Sequence, residues 1–426
     1  MTSQDGDARR NLPPLALHVP EPKFRPGDAV DFADFEMPVA GAVDRPPTDS
    51  ASRDMAGHVY AMVRVLDDEG RAIGPWNPGL DPDRLRRMLR EMLTVRAFDE
   101  RLHRAQRQGK TSFYVSSTGE EATAIGAAHA LDPDDMCFPS YRQQGLLIAR
   151  GWPLADMMCQ VFSNSGDRMK GRQMPVMYSA RAASFFTISG NLATQYPQAV
   201  GWAMASAIRG DTRIAAAWCG EGSTAEGDFH SALIFASVYR VPVVLTITNN
   251  QWAISSFSGF AGGESTTFAA RALGYGIAGL RVDGNDILAV YAATAWASER
   301  ARAGHGPTLI EQFTYRAEGH STSDDPSRYR PSEERNLWPL GDPIKRLAQH
   351  LTTLGEWDDE RHAALEAEVV AEVREAAREA EAQGVLGDGF RHHPMETMFE
   401  DVFEEMPKHL QEQRDQMLAE YKASGL

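Results

Sequence analysis

Two short segments carry the residues best suited to chemistry: Cys219-Gly-Glu-Gly-Ser-Thr-Ala-Glu-Gly-Asp228 and Asn249-Asn-Gln-Trp252. A glycine-flanked turn bares backbone N–H groups beside a helix N-terminus, and those unsatisfied donors attract phosphate. Gly220 and Gly222 supply the room. Glu221 would repel a diphosphate, so a carboxylate in this turn calls for a bridging cation. Mg²⁺ suits the role, wanting about six hard oxygen ligands that usually include phosphate oxygens. The Glu221 carboxylate, the Asn250 side-chain oxygen and the backbone carbonyl of Trp252 are three candidates, with diphosphate and water for the rest.

A rival reading is a dinucleotide fold, since Gly220-x-Gly222-x-x-Ala225 fits the loose glycine pattern that follows a strand. That fold needs an acidic residue some twenty positions on to hold a ribose. From Phe229 through Gly263 there is no Asp or Glu, so this reading is the lesser one. Gly387-Asp388-Gly389 and Asp283-Gly284-Asn285-Asp286 are decoys without a matching strand pair.

The elements that must position these residues are legible around them. Apolar runs Arg213–Cys219 and Val241–Thr248 flank a helical segment, Glu226–Arg240, which is the β-α-β alternation of a parallel sheet with buried strands. Both segments then lie at carboxyl ends of strands, where open α/β sheets bind ligands. From Pro82 the spacing of Leu85, Met88, Leu89, Met92 and Leu93 predicts a helix capped by Asp81. Residues 357–383, with Leu365, Val369, Val373 and Ala377 at four-residue steps, predict an amphipathic helix with a solvated face. The small-residue segments 196–209 and 290–303 need no function beyond close packing. The expected division is a Pro-rich extended arm over 1–80, an α/β domain over 81–345 and a helical C-terminal region over 346–426. Leu15, Leu17, Val19, Phe24, Phe32, Phe35 and Tyr60 give the arm enough apolar surface to wrap over the body.

Composition sets outer limits. With 59 acidic against 43 basic residues the 426-residue chain carries a formal charge of -16, which argues against nucleic-acid or anionic-membrane partners. Three scattered cysteines make neither a disulfide framework nor a zinc cluster. No apolar run is long enough to span a bilayer, and no leader pattern stands at the N-terminus. Cytoplasmic residence is the expectation.

The paired Gly-Glu-Gly and Asn-Asn segments resemble the thiamine-diphosphate motif of transketolase-like enzymes. Ser112-Phe-Tyr, Gly119-Glu-Glu, Ser140-Tyr-Arg-Gln-Gln144, Lys170-Gly-Arg-Gln-Met-Pro175, Ile188-Ser-Gly-Asn-Leu-Ala-Thr-Gln195, Val282-Asp-Gly-Asn-Asp286 and His320-Ser-Thr-Ser-Asp-Asp-Pro326 resemble the alpha subunits of branched-chain 2-oxo acid dehydrogenases over roughly residues 85–410. Leu17-His-Val-Pro-Glu-Pro22 resembles bacterial members. The Gly-Arg-Gln-Met-Pro and His-Ser-Thr-Ser-Asp-Asp forms favour a branched-chain substrate over pyruvate or acetoin.

The resemblance implies a thiamine-diphosphate-binding α/β fold with a mostly parallel sheet flanked by helices. It implies that Glu221, Asn250 and the Trp252 carbonyl hold Mg²⁺, that Tyr141, Arg142, Gly220, Gly222, Ser223 and His320 meet the cofactor's diphosphate side, and that Gly190 and Leu192 meet its aminopyrimidine. His320 also handles the acyl intermediate, and Phe113 and Tyr141 line the substrate pocket. The activating glutamate is implied to sit on a beta subunit, giving an α₂β₂ assembly that passes its acyl group to the lipoyl domain of an acyltransferase. A non-catalytic relative would have eroded Glu221, Asn250 or His320, and all three are present.

Three departures stand out. Thr248 replaces an arginine common before the Asn-Asn pair, so a diphosphate contact is expected to be missing. Asn191 replaces a proline in a segment that binds K⁺ in some relatives, which leaves a K⁺ site at Ser189, Thr194 and Gln195 open. Pro331 replaces the second of two loop positions phosphorylated in mitochondrial relatives, while Ser321 matches the first, and no kinase regulation is expected. The loop 318–331 lacks periodicity and is expected to be mobile until cofactor docks.

Overall fold

The computed structural model describes residues 16–384 and 398–424. Pro13, Pro14, Leu15 and the decoy Gly387-Asp388-Gly389 lie outside the described residues. Six strands form one parallel sheet: β1 (Met62–Val63), β2 (Met136–Phe138), β3 (Ala215–Gly220), β4 (Val243–Asn249), β7 (Ala278–Asp283) and β8 (Thr308–Phe313), in the order β1-β7-β8-β4-β3-β2. A small antiparallel hairpin of β5 (Trp252–Ala253) and β6 (Ser256–Phe257) follows β4 directly.

Along the described chain the helices are α1 (Pro82–Arg107), α2 (Glu121–Ala130), α3 (Gly145–Ala149), α4 (Leu154–Phe162), α5 (Gln195–Ile208), α6 (Gly227–Val238), α7 (Arg271–Gly274), α8 (Ile287–Arg302), α9 (Glu334–Leu337), α10 (Pro343–Thr353), α11 (Asp359–Ala382) and α12 (Lys408–Ser424). Strand β3 shows why the sheet reads as an unbroken apolar run. Ala216 and Trp218 enter one core with α1, α2 and α8, while Ala215, Ala217 and Cys219 enter the other with α5 and α6. Side chains alternate across a strand, so a sheet covered on both faces needs apolar residues at every position.

Helix α1 begins where the spacing places it, with the Asp81 carboxylate accepting from the Arg84 N–H at 2.9 Å and Leu85, Met88, Leu89, Met92 and Leu93 all buried. Helix α11 buries Val369, Val373 and Ala377, and its charged side pairs Glu368 and Glu372 with Arg90 of α1. The 345/346 boundary falls inside α10.

The arm is less purely extended than its prolines suggest: it holds a 3₁₀ turn over Ser52–Val59 and contributes β1, the sheet's edge strand. Phe24 is buried, and Phe32 and Phe35 pack on Trp338 and its cluster. Leu17, Val19 and Tyr60 stay exposed. The Asp283-Gly-Asn-Asp286 segment is structural: Asp286 accepts from the N–H groups of Val65 and Leu66 at 2.8 and 2.6 Å, and Asp283 pairs with Arg64 and Arg346. No helix among the described residues is long and apolar enough to cross a membrane.

Candidate functional site

Register sets the site. Strands β3 and β4 are neighbours with Gly220 opposite Thr248, so the turns that follow leave the sheet at the same edge. Asn250 N–H points at Glu221 Oε2 across 3.3 Å, and the two loops meet. Strand β2 delivers Tyr141 and Arg142 to that edge, and β8 leads to Arg316 and His320.

One cavity of about 490 Å³ is lined by Tyr141, Arg142, Gly190, Leu192, Gly220, Glu221, Gly222, Ser223, Asn250, Trp252 and His320, a size suited to a small-molecule ligand. These are the expected cofactor and metal positions, brought together from five regions of the sequence. Between β3 and α6 the chain makes a 3₁₀ turn, Glu221–Ala225, so this turn, rather than the first turn of α6, faces the cavity. Gly222 is required there, because a Cβ would collide with that of Ala253 in the β5–β6 hairpin.

Glu221 is buried, with Oε1 unpartnered, and burial pushes its carboxyl up to about 7. A buried anion with a bare oxygen is costly unless a cation or proton completes it. The Trp252 carbonyl accepts from Arg316 Nη1 at 2.8 Å and keeps its second lone pair. On either side of Trp252, Gln251 and Ile254 hold left-handed backbone at φ 74° and 57°, a strained arrangement that the packing around the hairpin must sustain. Among the described residues no three His, Cys, Asp or Glu side chains cluster as a metal site; the proposed set uses one carboxylate, one amide and one carbonyl. These donors fit a hard divalent cation.

Arg142 is no surface cation: it is 5% exposed, donating to the carbonyls of Ser116 and His320. Among the described residues it is the only arginine or lysine lining the cavity. Thr248 lies buried in β4 with its hydroxyl unpartnered and does not line the cavity. Burial first, then Arg142 and Arg316, push the His320 imidazole down to about 3. Its Nδ1 lies 3.4 Å from Arg142 Nη2, which makes Nδ1 the acceptor and leaves the proton on Nε2.

Phe113, expected against the substrate beside Tyr141, does not line this cavity. It is half-buried against the main core, because its neighbour Tyr114 is anchored by Asp99 at 2.6 Å and by Thr322 on both backbone groups. Near Gly190, the Ser189 hydroxyl accepts from the Asn191 N–H and Thr194 donates to the Asn191 carbonyl, while Gln195 Oε1 is buried without a partner. The loop 318–331 has one 3₁₀ turn, Pro326–Arg328, but many ties: Arg330 donates to the carbonyls of Arg316, Ala317 and Glu318, and Asp324 accepts from the His320 N–H.

Sequence reasoning missed Glu120 and Arg316. Glu120 lines the cavity, 3.6 Å from Arg142 Nε, and Arg316 holds Trp252, Ile254 and Tyr329 together. The Gly119-Glu-Glu segment was a signal for the first, without a role attached.

Comparison with known proteins shows the family. A family described as the dehydrogenase E1 component matches residues 89–387, and the 2-oxoisovalerate dehydrogenase E1 alpha subunit N terminal matches residues 13–53. The chain is 57% identical to the 2-oxoisovalerate dehydrogenase subunit alpha of Pseudomonas aeruginosa, over 95% of this chain and 98% of that protein. It is 41% identical to the mitochondrial subunit alpha of Bos taurus, over 85% of this chain and 79% of that protein. For subunit alpha 1 of Arabidopsis thaliana the identity is 39%, over 91% and 80%.

Proposed function

The chain belongs to the dehydrogenase E1 component family, and we propose that it is the alpha subunit of a 2-oxo acid dehydrogenase that decarboxylates branched-chain 2-oxo acids such as 3-methyl-2-oxobutanoate. The observation that carries this reading is the meeting of Glu221, Asn250, Trp252, Arg142 and His320 around one cavity with a bare buried carboxylate oxygen. When bound, thiamine diphosphate supplies the electron sink that decarboxylation of a 2-oxo acid needs.

This chain's residues bind and orient. Glu221, Asn250 and the Trp252 carbonyl would hold Mg²⁺, and Arg142 gives a diphosphate one charge-assisted contact. Gly220, Gly222 and Ser223 form the cradle, and Gly190 and Leu192 the aminopyrimidine side. His320, neutral with its proton on Nε2, would donate a hydrogen bond to diphosphate or acyl oxygen without adding charge. Tyr141 meets the substrate. Phe113, which does not line the cavity, drops out of the proposed substrate wall. A K⁺ site at Ser189, Thr194 and Gln195 stays open, supported by Gln195 Oε1 alone, which is buried and unpartnered.

The proposal includes an α₂β₂ assembly with the beta subunit and transfer of the acyl group to a lipoyl-bearing acyltransferase. Cytoplasmic residence is part of it, as three free buried cysteines suit a reducing compartment. The test is steady-state turnover of the chain copurified with its beta subunit. Branched 2-oxo acids are expected to outpace pyruvate, in a reaction dependent on thiamine diphosphate and Mg²⁺. Turnover of pyruvate alone would overturn the substrate, and NADH binding in place of thiamine diphosphate would restore the dinucleotide reading.

A further inference from the structure

Glu120 stands in the cavity wall between Arg142 and Asn250, only 2% exposed. Its Oε1 accepts from Asn250 Nδ2 at 2.8 Å, and its Oε2 has no partner. The backbone is built to deliver it: Gly119 sits at φ +95°, and a Cβ there would lie 2.6 Å from the Tyr315 carbonyl oxygen. The next residue does a different job, since Glu121 accepts from the Gly119 N–H and pairs with Arg96.

An asparagine amide has nearly the same shape after a half-turn that exchanges oxygen and nitrogen. Packing alone therefore cannot choose which atom faces a ligand. A carboxylate beside the amide breaks the tie, because only the nitrogen donates to it and the oxygen must face away. On its other side Asn250 Oδ1 accepts from the Trp252 N–H at 3.3 Å, a longer contact that selects the same orientation more weakly.

We propose that Glu120 is a positioning residue of the metal site, holding the Asn250 amide with its oxygen toward the divalent cation and its nitrogen away. The inference rests on the Mg²⁺ reading above and extends it to a carboxylate that is not itself a ligand. Groups behind metal ligands commonly control affinity by about 10–100-fold.

The test titrates Mn²⁺ into the chain copurified with its beta subunit at saturating thiamine diphosphate, reading free Mn²⁺ by electron paramagnetic resonance. E120Q is expected to weaken Mn²⁺ binding about 10–100-fold, because the new amide tolerates either orientation of Asn250. E120D, which keeps the charge but shortens the reach, should fall between. N250D alone should also bind poorly, since it sets two carboxylates against each other. The E120Q/N250D pair is expected to recover most of the affinity: a carboxylate presents oxygen in both directions, and the new amide donates to one of them.

That rescue is a response that loss of packing does not produce, and melting of each variant without metal reports on the fold. Wild-type Mn²⁺ affinity in E120Q overturns the proposal. A weak E120Q that N250D fails to rescue also overturns it, in favour of Glu120 as a direct ligand. No Mn²⁺ binding by the unsubstituted protein would instead defeat the metal reading itself.

Discussion

At the residue scale, His320 is a histidine kept uncharged by its surroundings. Burial and the adjacent Arg142 and Arg316 all disfavour the imidazolium, holding its pKa at about 3. A base whose folded pKa lies below its unfolded value of about 6.5 contributes stability above that value and loses it as pH falls toward the folded pKa. In the ligand-free chain, the His320 ring resonance is therefore expected to stay flat between about pH 5.5 and 8. Histidine-labelled NMR, with H320Q to assign the peak, checks this, and an ordinary titration near 6.5 would contradict it. Residue chemistry was legible in the sequence where adjacency in the sheet converts two motifs into one place, as for Glu221 and Asn250. Glu120 was not, because its partner Asn250 lies 130 positions away and nothing local marks the pair. Arg316, 64 positions from the Trp252 carbonyl it holds, was hidden for the same reason.

At the scale of elements, the local signals that worked were those the chain satisfies by itself. The α1 cap and its apolar stripe are contained in consecutive residues, as is the β3-α6-β4 alternation. Strand β1 is two residues long and exists because Asp286 binds the backbone just beyond it, a contact across 221 positions for Val65. That junction also carries buried charge. Arg346 pairs with Asp283 at 2.7 Å and lies 3.4 Å from Asp286, both carboxylates fully buried. Breaking a buried ion pair by removing one partner strands the other charge, typically at about 3–5 kcal/mol. Because Arg64 stays on Asp283 at 3.2 Å and Asp286 keeps two N–H donors, Arg346→Met is expected to lower stability by about the lower end of that range, read from urea denaturation. The loss should appear with release of the arm, followed by proteolysis near β1. A change below about 0.5 kcal/mol, the usual range for surface substitutions, would show that the arm is held by its aromatic contacts alone.

At the scale of the whole molecule, the cavity has two unlike ends. Glu221, Arg142 and Asn250 are at most 7% exposed, whereas two other lining residues, Leu192 and Ile254, are 46% and 57% exposed. The two carboxylates lining the cavity, Glu120 and Glu221, both stand at the closed end. Among the described residues lining the cavity, Gly190 and Leu192 bring a backbone and an apolar side chain, and neither brings an acid to share a proton with an aminopyrimidine. On the proposed reading, a site closed on the charged side and open on the other can hold a diphosphate but lacks the group that activates the cofactor. The chain purified alone is therefore expected to bind thiamine diphosphate with Mg²⁺, by calorimetry, yet release no CO₂ from 3-methyl-2-oxobutanoate. Adding the beta subunit should restore turnover with a stoichiometric end point of one beta per alpha. Sedimentation during the assay identifies which species is active. Full decarboxylation by a species containing only this chain would mean that the open end supplies the proton chemistry itself, and that the partner contributes assembly rather than a catalytic group.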